Sequence, residues 1–343
     1  MKALVLKEYN KFSYEDAPKP EFEADDLLVQ VKACAICGSD VHGIDGSTGR
    51  RIPPIIMGHE ASGVIAEVGE NVKEFAVGDR ITFDSTIYCG ECYYCRKGQV
   101  NLCDNRRVLG VSCNDYRQNG AFAEYVTIPQ HIAYHLPDGI SFEQAAMVEP
   151  VSIAVHAVGR SALSLNDTVV VVGVGMIGLF VVQILRIAGC GRIIAIDLDR
   201  NKFELARKFG ATHCLVADQE DLLTQITNLT NGRGADLAFE VVGITPTVKT
   251  AVYVLRKGGS LTLVGNLKPQ IDFPLQSIVT RQISVYGSCA SSGEYPICLD
   301  LIRQGKVNVD SLISAVAPLS EGASWFRRLY ECEPGLMKVI LKP

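Results

Sequence analysis

The run Gly173-Val-Gly175-Met-Ile-Gly178 follows the apolar segment TVVVV (168–172) and opens the long apolar segment MIGLFVVQILRIAG. A strand that turns through three such glycines into a helix leaves few folds open. The first glycine permits the tight turn, the second lets backbone approach a pyrophosphate, and the third lets helix and strand pack closely. Beyond it, short apolar runs alternate with helical stretches: RIIAID, NKFELARKFG, HCLVA, DLAFEVVG, SLTLVG and QISVYG. Such alternation predicts an α/β unit with a parallel, doubly wound sheet covered on both faces.

Asp197 ends RIIAID, 19 residues after Gly178. A carboxylate there can accept hydrogen bonds from both hydroxyls of an adenosine ribose and repels a 2′-phosphate, so NAD is expected rather than NADP. The amides of the helix start at Met176 and Ile177 are expected on the phosphates. Lys202 is counted with the cofactor residues, although it and Arg200 are cations that could meet a phosphate. The competing reading has the glycines as plain turn residues and Asp197 as a helix cap.

Residues 1–150 read differently. Runs such as LLVQVKA, ASGVIAEVG, DRITF and FAEYVTI, punctuated by glycine and proline, predict a β-rich domain. A chain of 343 residues exceeds the size at which one core keeps growing, so two domains are expected. The tail holds a helical segment, EYPICLDLIRQGKV, and a closing strand, GLMKVILKP.

Within the β-rich part, CGECYYCRKGQVNLC gathers Cys89, Cys92, Cys95 and Cys103, four of the twelve cysteines. This spacing lets one loop wrap four thiolates around a tetrahedral ion, which describes a closed structural zinc site. An iron–sulfur cluster is the alternative. The net charge of −5 lacks the basic face of a nucleic-acid or membrane-surface binder. No window reaches the roughly 18 unbroken apolar residues of a membrane span, and the first residues lack a secretory signal. A cytoplasmic location is expected, where thiolate clusters hold metal more often than they form disulfides. Cys113, Cys190, Cys214, Cys289, Cys298 and Cys332 are expected as buried small apolar side chains, and His131, His135, His156 and His213 as structural.

A second set is dispersed: Cys37, Ser39 and His42 in CGSDVH, then His59-Glu60, then Glu149. Mixed sulfur, nitrogen and oxygen donors suit an open catalytic zinc, though spacing alone does not establish one. Ser39 is also a candidate cap for a helix beginning at Asp40.

With these motifs, CGSDVH (37–42), GHEASGVIAEVG (58–69), VGDR (77–80), the four-cysteine loop, GAFAEYV (120–126), EPVSIAVHA (149–157) and GVGMIG (173–178), the chain resembles the zinc-dependent medium-chain dehydrogenases. The branch is that of sorbitol, L-threonine and related polyol dehydrogenases. The resemblance implies a GroES-like catalytic domain over 1–150, completed by 287–343, a Rossmann NAD-binding domain over 151–286, and an active site in the cleft between them. It implies Cys37, His59, Glu60 and Glu149 around a catalytic zinc, with a second, structural zinc on the cysteine loop. Ser39 would accept the substrate hydroxyl proton and pass it toward His42. The implied reaction oxidises a secondary alcohol of a polyol or sugar-derived substrate to a ketone with hydride transfer to NAD; L-threonine-type amino-alcohol oxidation, or oxidation of a polyol phosphate or sugar acid, is the alternative. The complete Cys37, Ser39, His59 and Glu149 set argues against a binding protein without chemistry. A homo-oligomer, dimer or tetramer, is implied with the tetramer favoured. Gly43 stands where sorbitol dehydrogenases carry a tyrosine, which argues against sorbitol itself. Two arginine pairs, Arg50-Arg51 and Arg106-Arg107, are expected on loops, either solvated or receiving an anionic substrate.

Overall fold

The computed structural model describes residues Met1–Pro343 and divides into two compact units, one of 1–149 with 292–343 and the other of 150–291. The first boundary falls inside the helix Val148–Gly159.

The first unit is built on a seven-stranded sheet. Asp26–Ala35 lies between Glu60–Val68 and Lys338–Lys342, antiparallel to both, and Tyr125–Pro129 also pairs with it. Arg80–Phe83 and Ala133–His135 extend one side; Ile313–Pro318 extends the other, parallel to Lys338–Lys342. Register places Glu60 opposite Ala35, and Ala35 opposite Ile340. The last strand of the chain therefore lies beside the strand that leads into Cys37. Leu27, Val29, Val31, Ile65, Ile81, Phe122, Val339 and Leu341 are buried in one core, the outcome expected of apolar residues on the sheet's covered faces.

The second unit carries a six-stranded sheet in the order 213–216, 192–197, 168–172, 235–240, 255–263, 284–287, every neighbouring pair parallel. Val169, Val170, Val171, Ile193, Ile194 and Ala195 are all but inaccessible, as strands covered on both faces require. The helix Met176–Ile187 follows the first strand, and Phe203–Phe209 the next.

Not every cysteine packs as expected. Cys190 and Cys298 are buried, whereas Cys113 and Cys214 are half-buried and Cys289 and Cys332 are exposed. The latter two lie on irregular segments, where no apolar face requires covering. None of the twelve is in a disulfide.

Candidate functional site

Strand Asp26–Ala35 ends two residues before Cys37, and the chain then makes one short helix, Gly38–Val41. Cys37 occupies the N-cap position in an extended conformation, and no side chain caps the helix. Ser39 thus lies inside that helix and does not cap one starting at Asp40. Its hydroxyl donates to Cys37 Sγ at 3.3 Å. Ser39 and His42 are exposed, while Asp40 is fully buried.

The sheet brings His59 and Glu60, at the start of Glu60–Val68, against this turn. Ligand atoms of Cys37, His59 and Glu60 lie within 4.8 Å of one another. Behind them, Asp40 Oδ2 faces His59 Nδ1 at 3.5 Å, and neither atom has a hydrogen-bond partner. Asp40 Oδ1 accepts from Arg51 Nη2 at 2.7 Å and Nε at 3.1 Å. Lys338 Nζ donates to Glu60 Oε2 at 2.6 Å and to the Ile36 carbonyl at 3.1 Å. Glu149 is outside the three-residue cluster, with the Ser85 hydroxyl 3.4 Å from its Oε1.

Charge in this pocket is strongly biased. Burial opposes a proton on His59, but Asp40 and Cys37 beside it outweigh burial and hold its pKa well above the ordinary imidazole value. Burial would likewise raise the Asp40 carboxyl, and the His59 and Arg51 charges instead hold it below its usual range. For Glu149 the balance is reversed: burial, helped by the Glu60 and Asp84 charges, outweighs His59 and Lys338 and pushes it up to about 7. A soft thiolate, an imidazole and a carboxylate converging in an anionic pocket fit a zinc-type cation, and a carboxylate behind the histidine's other nitrogen is the usual support for such a ligand.

The four loop cysteines also converge within 4.8 Å of one another. Zn–S bonds near 2.3 Å set tetrahedral thiolates about 3.8 Å apart, and Cys89 Sγ and Cys103 Sγ are separated by 3.5 Å. Backbone amides of Glu91 and Cys92 hold the Cys89 thiol down at about 6, and amides of Cys95 and Asp104 lower Cys92. Cys89 and Cys92 so placed ionise readily, as metal ligation requires, whereas burial and the neighbouring thiols push Cys95 up to about 12, a proton that a bound cation would displace.

In the second unit, Gly173 has φ +91°, and a Cβ on Gly178 would collide with the Gly173 carbonyl. Gly175, the N-cap of Met176–Ile187, faces open space, leaving room for a phosphate against the helix amides. Asp197 Oδ2 accepts from the Val174 amide at 2.9 Å, and Oδ1 from the Asp199 amide at 2.9 Å. Lys202 Nζ meets both oxygens, at 3.0 and 3.2 Å.

The arginine pairs are not free loop cations throughout. Arg51 is buried on Asp40, and Arg106 donates to the Asn101 carbonyl at 2.9 Å; Arg50 and Arg107 are exposed. Asp40 and Lys338 carried no separate signal in the sequence, apart from Asp40 standing inside CGSDVH and Lys338 heading an apolar strand. No helix is long and apolar enough to cross a membrane.

Comparison with known proteins agrees with this geometry. The family model described as alcohol dehydrogenase GroES-like domain matches residues 23–138, and that described as zinc-binding dehydrogenase matches residues 176–304. Sorbitol dehydrogenase of Bacillus subtilis (strain 168) is 34% identical over 100% of this chain and 97% of its own length. D-arabitol-phosphate dehydrogenase of Enterococcus avium is 36% identical over 94% of this chain and 92% of its own. The crystal structure of galactitol-1-phosphate dehydrogenase from Escherichia coli superposes with a TM-score of 0.91 at 27% identity, covering 100% of both chains. The chain belongs to the zinc-binding dehydrogenase family and is an oxidoreductase with a GroES-like domain and a Rossmann-type parallel sheet.

Proposed function

We propose that this protein oxidises a secondary alcohol of a polyol or sugar-derived substrate to a ketone, with NAD as the hydride acceptor. The convergence of Cys37, His59 and Glu60 carries the reading, in a chain whose relatives include sorbitol and D-arabitol-phosphate dehydrogenases. In this reading, 1–149 with 292–343 is the catalytic domain and 150–291 the cofactor domain.

Cys37, His59 and Glu60 would hold the catalytic zinc, with Glu149 as the further carboxylate, and Cys89, Cys92, Cys95 and Cys103 the structural one. When bound, catalytic zinc polarises the substrate hydroxyl and NAD takes hydride from the carbinol carbon. Ser39 is exposed and receives the hydroxyl proton as its own departs. His42, exposed at the end of the same short helix, delivers that proton to solvent. Asp40 orients His59, and Lys338 steadies Glu60.

Gly173, Gly175, Met176, Ile177 and Gly178 would cradle the pyrophosphate. Asp197 favours NAD, because its carboxylate is already oriented by two backbone amides. Lys202 neutralises that carboxylate rather than standing free for a 2′-phosphate.

A polyol phosphate is the second substrate reading, favoured by the names of two relatives and by exposed Arg50 and Arg107. Absorbance at 340 nm, followed with NAD and separately with NADP across polyols, polyol phosphates, sugar acids, threonine and simple alcohols, decides among these. Turnover with one class that Cys37→Ser abolishes without unfolding supports the reading. Turnover that survives Cys37→Ser sinks it.

For assembly and location we propose a cytoplasmic homotetramer. Support comes from the edge strand Ser284–Gly287, from Leu275 and Val279 exposed at 66% and 68% nearby in the chain, and from twelve cysteines free of disulfides. A monomer by light scattering would end the assembly proposal.

A further inference from the structure

Arg51 has an environment that a loop arginine does not need. Its backbone is pinned: the Ile52 amide donates to the Ser112 carbonyl at 3.0 Å, and the Ser112 amide donates to the Arg50 carbonyl at 3.2 Å. The side chain then runs inward and is 4% exposed. Nε and Nη2 grip Asp40 Oδ1, Nη1 donates to the Arg50 carbonyl at 2.9 Å, and Nη2 reaches Ser39 Oγ at 3.5 Å. One rigid guanidinium thus touches both the hydroxyl next to Cys37 and the carboxylate behind His59. A lysine ammonium, a single point on a flexible stem, lacks the planar fork that makes these contacts together.

The stem matters as much as the head. A Cβ on Gly43 would meet Arg51 Cγ at 2.6 Å, the Ser39 carbonyl at 3.1 Å and Thr48 Oγ1 at 3.4 Å. Gly43 does not have a positive φ, so the backbone there does not itself demand glycine. The Arg51 stem is the nearest obstacle over residue 43 and the one too close for a real Cβ, with the Ser39 carbonyl a tight second contact.

We propose that Arg51 is a positioning residue of the proton-transfer step, fixing the Ser39 hydroxyl and the Asp40 carboxylate together, and that its stem makes glycine obligatory at position 43. The inference rests on the proposed function for the proton step, but its geometric core concerns the metal ligands' support and is testable without turnover. With Arg51 in place, Asp40 Oδ1 is held, Oδ2 is presented to His59, and a lone pair of Ser39 faces a cation while its proton points to Cys37 Sγ. Without the fork, Ser39 and Asp40 each gain rotamers unrelated to the reaction, and the burial of Asp40 is left to His59 alone.

The test compares the zinc-loaded full chain with Arg51→Lys, Arg51→Ala, Gly43→Ala and the double variant Gly43→Ala with Arg51→Ala. Zinc loss to a chromogenic chelator is timed first, with Cys37→Ser identifying the catalytic phase by its absence. Arg51→Ala and Gly43→Ala should each speed that phase on the order of 10- to 100-fold, the usual cost of removing a ligand's outer support. The double variant should be no faster than Arg51→Ala, because the severe contact at residue 43, at 2.6 Å, has vanished with the stem and only the milder one with the Ser39 carbonyl remains. With an alcohol that the wild type oxidises, Arg51→Lys should lower kcat on the order of 10- to 100-fold while KM stays within about twofold, as misplacement of a proton-transfer group does. If Arg51→Ala does not fold, Gly43→Ala and Arg51→Lys carry the same comparison. Unchanged zinc loss in Gly43→Ala, additive effects in the double variant, or full kcat in Arg51→Lys would overturn the proposal. An inactive wild type whose zinc phases behave as described would instead count against the alcohol-oxidising reading, and with it the proton step, and leave standing only the support that Arg51 gives the metal ligands.

Discussion

Lys338 Nζ lies 2.6 Å from Glu60 Oε2, joining side chains 278 residues apart in sequence, and both are almost wholly buried. Burial works against the lysine's charge, yet Glu60 and Cys37 raise its pKa above the ordinary value. The pair belongs to the metal pocket, because Glu60 is also within 4.8 Å of the Cys37 and His59 donor atoms. Lys338→Met leaves Glu60 as a buried charge without its cation and should cost about 3–5 kcal/mol. Thermal unfolding of metal-free protein, in which no zinc neutralises Glu60, measures it. Adding Glu60→Gln should recover part of that loss, since the stranded charge is then gone; a double variant less stable than Lys338→Met would contradict the account.

The cysteine loop should behave as a separate metal site. Cys95→Ser is expected to lower zinc content by about one equivalent per chain, since closed sites need all four ligands. Elemental analysis alongside activity separates this from Cys37→Ser, whose lost equivalent should abolish turnover. The Ser292 hydroxyl donates to the Gly98 carbonyl at 2.8 Å, tying the returning segment to this loop. Removing the metal should therefore increase protease sensitivity around residues 89–103.

Cofactor choice should turn on Asp197. Asp197→Ser removes an acceptor whose hydrogen bonds, with one partner charged, are worth about 1.5–3 kcal/mol each. The affinity for NAD should drop on the order of 10- to 100-fold, while NADP improves because Lys202 is released. Fluorescence titration of the two reduced cofactors gives both constants. A variant that weakens NAD and NADP equally would show that Asp197 shapes the turn and does not discriminate.

Acid sensitivity of the parallel sheet should trace in part to Asp236. Its carboxylate accepts from the Thr168 amide at 2.9 Å and from Arg256 Nε at 2.7 Å. Burial alone would raise its pKa, but Arg256 and the amide hold it below the usual value. A depressed folded-state value means a contribution complete above the unfolded value near 3.9 and lost as pH falls through the folded one. Asp236→Asn should cost about 1–2 kcal/mol at neutral pH, partly screened because Arg256 is 35% exposed. The gap from wild type in thermal unfolding should close steadily below about pH 4. A constant gap would mean that shape, not charge, is what the substitution removes.

The local signals and their limits can be traced through individual residues. Gly173, Gly175 and Gly178 belong to a strand–turn–helix unit, so their spacing alone carried the geometry. The same holds for Cys89 to Cys103, where one loop brings its own donors together. Ser39 does not start the helix, because Cys37, with no side-chain cap of its own, takes the N-cap position two residues earlier than hydroxyl chemistry suggests. Arg51 read as a loop cation, since nothing near it in sequence announces that it will be folded inward onto Asp40.

By itself, then, the sequence determined what short-range physics can determine: the alternation of strands and helices, the thiolate loop, the phosphate-binding turn and the family resemblance that rests on them. Tertiary structure alone decided which charges are paired inside the metal pocket. The antiparallel placement of Lys338–Lys342 beside Asp26–Ala35 brings Lys338 to Glu60, and the fold of residues 50–52 against Ser112 brings Arg51 to Asp40 and over Gly43. A buried ion pair is stable only when its partner arrives with good geometry, and that arrival is set by strand register and loop packing rather than by the residues that flank either charge in the chain.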